Sequence, residues 1–247
     1  EKSWAHCDVL VIGAGPAGLA AALSAARCGA RVIVADEDFR LGGRCLAERR
    51  TIDGTPAADW ASGALAELRS MPEVRLLPRT TVFGLYDDGV YGAVERVNDH
   101  LPVPPQFEPR QRVWRIVAKQ SVLASGSIER PLVFGNNDLP GVMLAGAVRT
   151  YVNRYAVLPG ERGLVFTDND DGWTTAADLM AAGAEVAAVV DSRGPFVVAA
   201  LARRYPNFEA IAGEVNDASG GQHVESVEVT SHTGSSRRIY CDLVAMS

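Results

Sequence analysis

The chain has 247 residues, 47% of them hydrophobic and 22% charged, enough to bury a core as one large globular domain or two small ones. A formal charge of -6 and a pI near 5.3 leave no basic stripe to neutralise phosphates, which excludes nucleic acid as a partner. No apolar run reaches the ~18 residues of a bilayer span, and the amino end lacks a secretory signal, so a cytoplasmic protein without a membrane partner is expected.

Residues 8–12 form a short apolar run, followed by a Gly-rich turn and an Ala/Leu-rich stretch from Pro16 to Cys28 with the length and propensity of a helix. Gly29 ends that helix, and the β-branched run at 31–35, closed by Asp36, completes a strand-helix-strand unit of a parallel sheet. A helix at 57–70 and a strand at 74–77 follow, and then strands at 80–86, 90–97 and 112–117 that read as an antiparallel meander, interrupted by the Pro-rich loop 101–109. Residues 121–124 return as a buried strand, and 144–155 read as a helix. Leu158-Pro159-Gly160 then stops the helix and turns the chain, so domains over 1–157 and 158–247 are expected.

A second strand-helix-strand unit follows at 163–167, 174–182 and 185–190, ending at Asp191. A helix at 196–205, a strand at 209–212 and a hairpin of 226–230 with 238–241 complete the pattern. The fold expected is α/β: tandem Rossmann-like dinucleotide-binding folds of the two-domain flavoprotein type, with an antiparallel β-meander. The absence of an initial Met and the apolar run that closes the sequence read as the ends of an excised fragment, with the first domain incomplete on its C-terminal side.

Gly13-Ala14-Gly15-Pro16-Ala17-Gly18 is G-x-G-x-x-G between a strand and a helix, with Asp36 eighteen residues beyond Gly18. Gly13 allows the tight turn, Gly15 lets backbone N–H groups approach a pyrophosphate, and Gly18 lets helix and strand pack closely. Pro16 and Ala17 open the helix, whose positive dipole end faces the phosphates. Asp36 accepts hydrogen bonds from an adenosine ribose and opposes a 2'-phosphate, which points to NAD or FAD and not NADP. Glu37 follows as a weaker candidate. Leu41-Gly42-Gly43-Arg44-Cys45 stands where related flavoproteins place a Gly-Gly pair against the pyrophosphate. Ala124-Ser125-Gly126 stands where such chains return to the first nucleotide site.

Disulfide reductases carry a redox Cys pair near this Gly-Gly position, but Cys45 is followed by Leu46-Ala47-Glu48-Arg49-Arg50 with no second cysteine. Cys7, Cys28 and Cys241 are equally isolated, and all four thiols are expected to be reduced. The second unit has Thr167-Asp168-Asn169-Asp170-Asp171-Gly172-Trp173 where its glycine fingerprint should stand. Those acids repel a pyrophosphate and suit a helix cap, so the second fold is expected to hold no nucleotide. His6, His100, His223 and His232 lack metal or triad spacing, so no metal site and no catalytic base are assigned.

The runs Leu123-Ala124-Ser125-Gly126-Ser127-Ile128-Glu129-Arg130-Pro131, Asn137-Asp138-Leu139-Pro140-Gly141-Val142 and Arg149-Thr150-Tyr151-Val152-Asn153-Arg154-Tyr155 resemble the alpha subunits of heterotetrameric sarcosine oxidases. Asp53-Gly54-Thr55-Pro56 and Val165-Phe166-Thr167-Asp168-Asn169-Asp170 extend the resemblance along the chain. It implies a longer subunit in a complex with beta, gamma and delta subunits that oxidises sarcosine with FAD, FMN and O2. It further implies NAD in this segment, with amine-oxidising FAD on the beta subunit. Carried over by motif, Ala17, Asp36, Glu37, Arg44 and Val82 become NAD contacts beside Gly13, Gly15 and Gly43. Opine oxidases and hydrogen-cyanide-forming enzymes share these features. A second reading, an FAD-dependent oxidoreductase using NAD(P)H, follows from the tandem folds. A third, a non-catalytic nucleotide-holding scaffold, follows from the missing acid-base pair.

Overall fold

The computed structural model describes residues 1–247, which divide into two compact units, Glu1–Ser127 and Ile128–Ser247. The division falls at Ser127/Ile128 and not at the expected break after residue 157. The reason is long-range: residues 142–144 pair with the last strand of the chain, which draws everything from Ile128 onward into the second unit.

In the first unit, β1 (Lys2–Ile12), α1 (Pro16–Arg27) and β2 (Val32–Ala35) form the parallel βαβ unit, with Val9 opposite Val32 and Ile12 opposite Ala35. Pro16 occupies the first helical turn, where its missing N–H removes no hydrogen bond, and Gly29 ends the helix region at φ +79. A short hairpin of β3 (Thr51–Ile52) and β4 (Thr55–Pro56) leads into α2 (Ala57–Ser70) and β5 (Val74–Leu77). β6 (Thr80–Tyr86), β7 (Val90–Glu95) and β8 (Arg112–Leu123) pair antiparallel in sequence, and the sheet order is β5-β2-β1-β8-β7-β6. The separate strand expected at 121–124 is the far end of the 12-residue β8.

α1 and α2 cover one face of this sheet, packing Leu19, Leu23, Leu65 and Leu68 on Val11, Val32 and Val34. Leu10, Ile33, Trp114 and Ile116 form the core on the opposite face. Leu10 and Leu19 are 0% exposed, and burial of such a side chain contributes ~1.5–3 kcal/mol. This packing fixes the C-terminal ends of β1 and β2, where the glycine turn and Asp36 lie.

In the second unit the sheet order is β14-β13-β12-β11-β10-β15-β9. Its members are β9 (Val142–Leu144), β10 (Arg162–Thr167), β11 (Glu185–Asp191), β12 (Ala210–Gly220), β13 (Val224–Ser231), β14 (Ser236–Tyr240) and β15 (Leu243–Met246). The helix expected at 144–155 is a short α3 (Ala145–Arg149) running into a π-helical turn (Thr150–Arg154). α4 (Asp170–Ala181) starts four residues earlier than expected, because Asn169 caps it by accepting the Asp171 N–H at 2.9 Å. α5 (Pro195–Arg204) follows β11. No helix in the chain is long and apolar enough to cross a membrane.

Candidate dinucleotide site

The glycine turn lies between β1 and α1, and each glycine answers a different constraint. Gly13 has φ +101, and a Cβ there would sit 2.3 Å from the Ala124 carbonyl oxygen. A Cβ on Gly18 would sit 1.9 Å from the Gly13 carbonyl oxygen, so only glycine lets α1 pack this closely on the turn. Gly15 differs: its φ is -72, and a Cβ there would meet nothing within 4 Å. No intramolecular contact requires a glycine at this position. The open space before it faces the N-terminus of α1, as an anion site requires.

The two Gly-rich segments meet here. Gly43, at φ +52, would place a Cβ 2.8 Å from the Gly15 Cα, so Gly42-Gly43 and the phosphate turn form one rim. Arg44 follows on a 3-10 turn (Gly43–Leu46) with its guanidinium 2.5 Å from Glu48. Ala124 and Ser125 lie across from Gly13 at the end of β8, whereas Gly126 has φ +72 and open space around it.

Asp36 is partly buried at the end of β2. The Ala14 N–H donates to its Oδ2 at 2.6 Å and the Asp38 N–H donates to its Oδ1 at 2.8 Å. Its backbone is held as firmly, since its N–H donates to the Leu77 carbonyl and its carbonyl accepts the Thr80 N–H. Each carboxylate oxygen retains a lone pair for a ribose hydroxyl. Glu37 is exposed, and Arg96 Nη2 donates to its carbonyl at 3.0 Å. The guanidinium of Arg79 lies 5.2 Å from the Phe39 ring centroid, while its N–H donates to the Asp38 carbonyl. Sequence reading missed Arg79 and Arg96, because only the pairing of β6 and β7 brings them to the acidic turn. Val82, half-buried on β6, is two residues past Thr80 and packs against the core that contains Leu10, Ile33 and Trp114.

The second unit also contains a parallel strand-helix-strand unit, β10-α4-β11, but its turn is closed. Asp191 stands at the end of β11 as Asp36 stands beyond β2, yet it is 0% exposed. The Trp173 Nε1–H donates to its Oδ2 at 2.7 Å, and Arg193 donates through its backbone N–H (3.0 Å), Nε (3.0 Å) and Nη2 (2.7 Å). Burial pushes the carboxyl up, but the hydrogen bonds from Arg193 and Trp173 outweigh it and hold the pKa below its ordinary value. Arg193 also binds Asp170 at 2.8 Å, and a Cβ on Gly172 would sit 2.3 Å from that of Thr167. The acceptors of Asp191 are thus filled by its own chain, unlike those of Asp36.

A parallel βαβ unit with this glycine turn, set in a mixed α/β sheet, is a Rossmann-like fold, and residues 8–112 match the family "FAD dependent oxidoreductase". Among solved structures, L-proline dehydrogenase from P. horikoshii shares the fold with a TM-score of 0.72 at 20% identity, over 100% of this chain and 43% of that one. Over all 247 residues the chain is 53% identical to the alpha subunit of sarcosine oxidase from Rhizobium meliloti (strain 1021), and it spans 25% of that protein. An opine oxidase subunit from Agrobacterium tumefaciens (strain Ach5) is 34% identical over 210 residues, 81% of this chain and 40% of that protein. The chain is a homologue, along its whole length, of about a quarter of a sarcosine oxidase alpha subunit.

Proposed function

We propose that residues 1–127 hold the adenosine-pyrophosphate part of NAD, within an alpha subunit of a sarcosine-oxidase-like complex that oxidises a secondary amine with O2. The observation that carries this reading is the open space at Gly15, bounded by the N-terminus of α1 and by the fixed carboxylate of Asp36. Gly13, Gly15, Pro16, Ala17, Gly18 and Gly43 surround the pyrophosphate. Asp36, with Glu37 beside it, receives the ribose, and Val82 and the 124–126 segment flank the site. A nicotinamide dinucleotide supplies hydride-transfer chemistry when bound. This chain's residues bind and orient it, and none of them is assigned a proton-transfer role.

The adenosine diphosphate half is common to NAD and FAD, so the residues of the turn fit both. The resemblance to sarcosine oxidase alpha subunits favours NAD, whereas the family matched by residues 8–112 favours FAD. Identity of 53% against 34% favours a sarcosine-type over an opine-type substrate. The two nucleotide-type folds in tandem would suit a reductase using NAD(P)H, but the closed Asp191 turn argues against that reading.

Mass spectrometry of the small molecule released from denatured, freshly purified protein tests the cofactor. NAD is the expected product. FAD would transfer the site to the flavin reading, and an empty site would leave only the scaffold. Sarcosine-dependent hydrogen peroxide production tests the activity. It is expected from the assembled complex and not from residues 1–247 alone, and turnover by these residues alone would overturn the assignment.

A further inference from the structure

We propose that the first half of β1 is paired, along its outer edge, with an extended strand contributed by the part of the polypeptide outside residues 1–247. β1 pairs with β8 from Lys2 to Ile12, but its register with β2 begins only at Val9↔Val32. Residues 2–7 thus have a neighbouring strand on one side only. The directions of their backbone groups follow from two hydrogen bonds. The Val113 N–H donates to the Glu1 carbonyl at 2.8 Å, so the odd-numbered residues turn their N–H and C=O groups towards β8. On the opposite side, the Asp8 N–H donates to the Arg31 carbonyl at 2.9 Å. The main-chain groups of Lys2, Trp4 and His6 therefore face away from β8, in ladder geometry.

A β-bulge makes this edge a distinct feature and not a frayed end. The N–H groups of Asp8 and Val9 both donate to the Arg31 carbonyl, at 2.9 and 3.1 Å. The register with β8 is unbroken here (Cys7↔Ala118, Val9↔Gln120), but the side-chain alternation reverses, so Ala5 and Cys7 before Asp8 share a core with Leu10 after it. The bulge is clamped: the Asp8 carboxylate accepts from the Arg31 backbone and guanidinium and lies 2.8 Å from Lys119 Nζ. Residues 2–7 thereby continue the plane of β8 and β7, while residues 9–12 belong to the βαβ unit.

Beside the edge runs a groove of about 420 Å³, lined by residues 4–7, 31–33 and 72–75. Arg31, Glu73 and Arg75 give it a polar wall, which suits a hydrogen-bonded main chain better than an inserted apolar side chain. Six residues of strand offer roughly 20 Å of ladder. The chain spans 25% of its Rhizobium meliloti relative, so a polypeptide of that length has ample sequence from which to supply the strand. An edge of this length left bare would invite pairing with other molecules. The inference is independent of which dinucleotide the turn holds.

Residue-resolved hydrogen exchange on the full-length polypeptide tests it, with the neighbouring amides as an internal control. Ala5 and Cys7 face β8 and are protected in any case. The expected result is protection of Trp4 and His6 by at least about 100-fold, comparable with Ala5 and Cys7. Exchange of Trp4 and His6 at the rate of an unstructured chain, with Ala5 and Cys7 protected, would overturn the proposal. Protection that appears only when a different polypeptide of the complex is added would overturn it equally, because the strand would then belong to that polypeptide. His6→Pro, which removes an outward-facing N–H and none of those bonded to β8, is expected to lower the melting temperature of the full-length protein well beyond His6→Ala. Equal melting of the two variants would contradict a paired edge.

Discussion

The Ala14 N–H donates to the carboxylate of Asp36 at 2.6 Å, so the phosphate turn and the acid at the end of β2 are joined before any ligand arrives. The same carboxylate accepts the Asp38 N–H. An acid held by two backbone donors is preorganised, and accepting hydrogen bonds from a ribose, as proposed, would cost little ordering entropy.

Asp36→Ala is expected to weaken dinucleotide binding by ~1–3 kcal/mol, a loss of roughly 5- to 150-fold in affinity. Because two backbone N–H groups lose their acceptor, the variant should also melt earlier while remaining folded. Calorimetric titration with NAD measures the first effect, and unchanged affinity in a folded variant would remove Asp36 from the site.

The glycines should separate into two kinds when each receives a side chain. Gly18→Ala places a Cβ 1.9 Å from the Gly13 carbonyl oxygen and should destabilise the protein with or without ligand. At Gly15 an added Cβ meets nothing within 4 Å and φ is an ordinary -72, so the melting temperature of Gly15→Val should stay near that of the parent. Its NAD affinity should nevertheless fall by about 100-fold or more, since the side chain fills the space of the pyrophosphate. If Gly15→Val still binds tightly, the ligand lies elsewhere.

In the second unit, Asp191→Ala should cost about 3 kcal/mol, because it leaves the Trp173 indole N–H and the Arg193 guanidinium without their shared acceptor. Folding lowers the Asp191 pKa, so its contribution is fully present above the unfolded value near ~3.9 and disappears as the pH falls through the folded value. The parent should thus melt well above the variant from pH 7 to 5, and the gap should narrow below pH 4. A gap independent of pH across that range would mean that the carboxylate charge contributes nothing to the unit.

Thiol chemistry offers a check on burial. Desolvation pushes Cys7 up to about 11 and Cys241 up to about 12, and it raises buried Cys45 as well, whereas Cys28 is exposed. With a disulfide reagent at pH 8, Cys28 alone should react in the native protein, and all 4 cysteines after denaturation. Fast modification of Cys45 in the native state would show that the Gly42–Gly43 rim opens.

The βαβ unit was legible in the sequence because its signals are local: an apolar run, a glycine turn, an alanine-rich helix and a terminal acid within 36 residues. Elements set by distant pairing were not. Nothing near Val142 announces that it pairs with Val244, so the unit boundary was expected about thirty residues too late. Nor does the run at 121–124 reveal that it continues from Arg112 as one strand. At the site, the glycines and Asp36 could be named from spacing, whereas Arg79 and Arg96 needed the sheet. The acids at 168–171 were legible as unsuited to a pyrophosphate, but the acceptors of Asp191 became visible as filled only once Trp173 and Arg193 were seen around it.

β8 has two partners along one uninterrupted strand. Up to Val117 it pairs with β7, and through Leu123 it pairs with β1, after which the Ala124 carbonyl stands against Gly13. The glycine turn and the meander are therefore joined through one strand and are expected to open together. A cavity cut far from the ligand, beneath Trp114, would raise the population in which β8 detaches, and each detachment would dissolve the wall opposite Gly13. With the proposed dinucleotide bound at saturation, amide exchange is expected to slow as far away as β7.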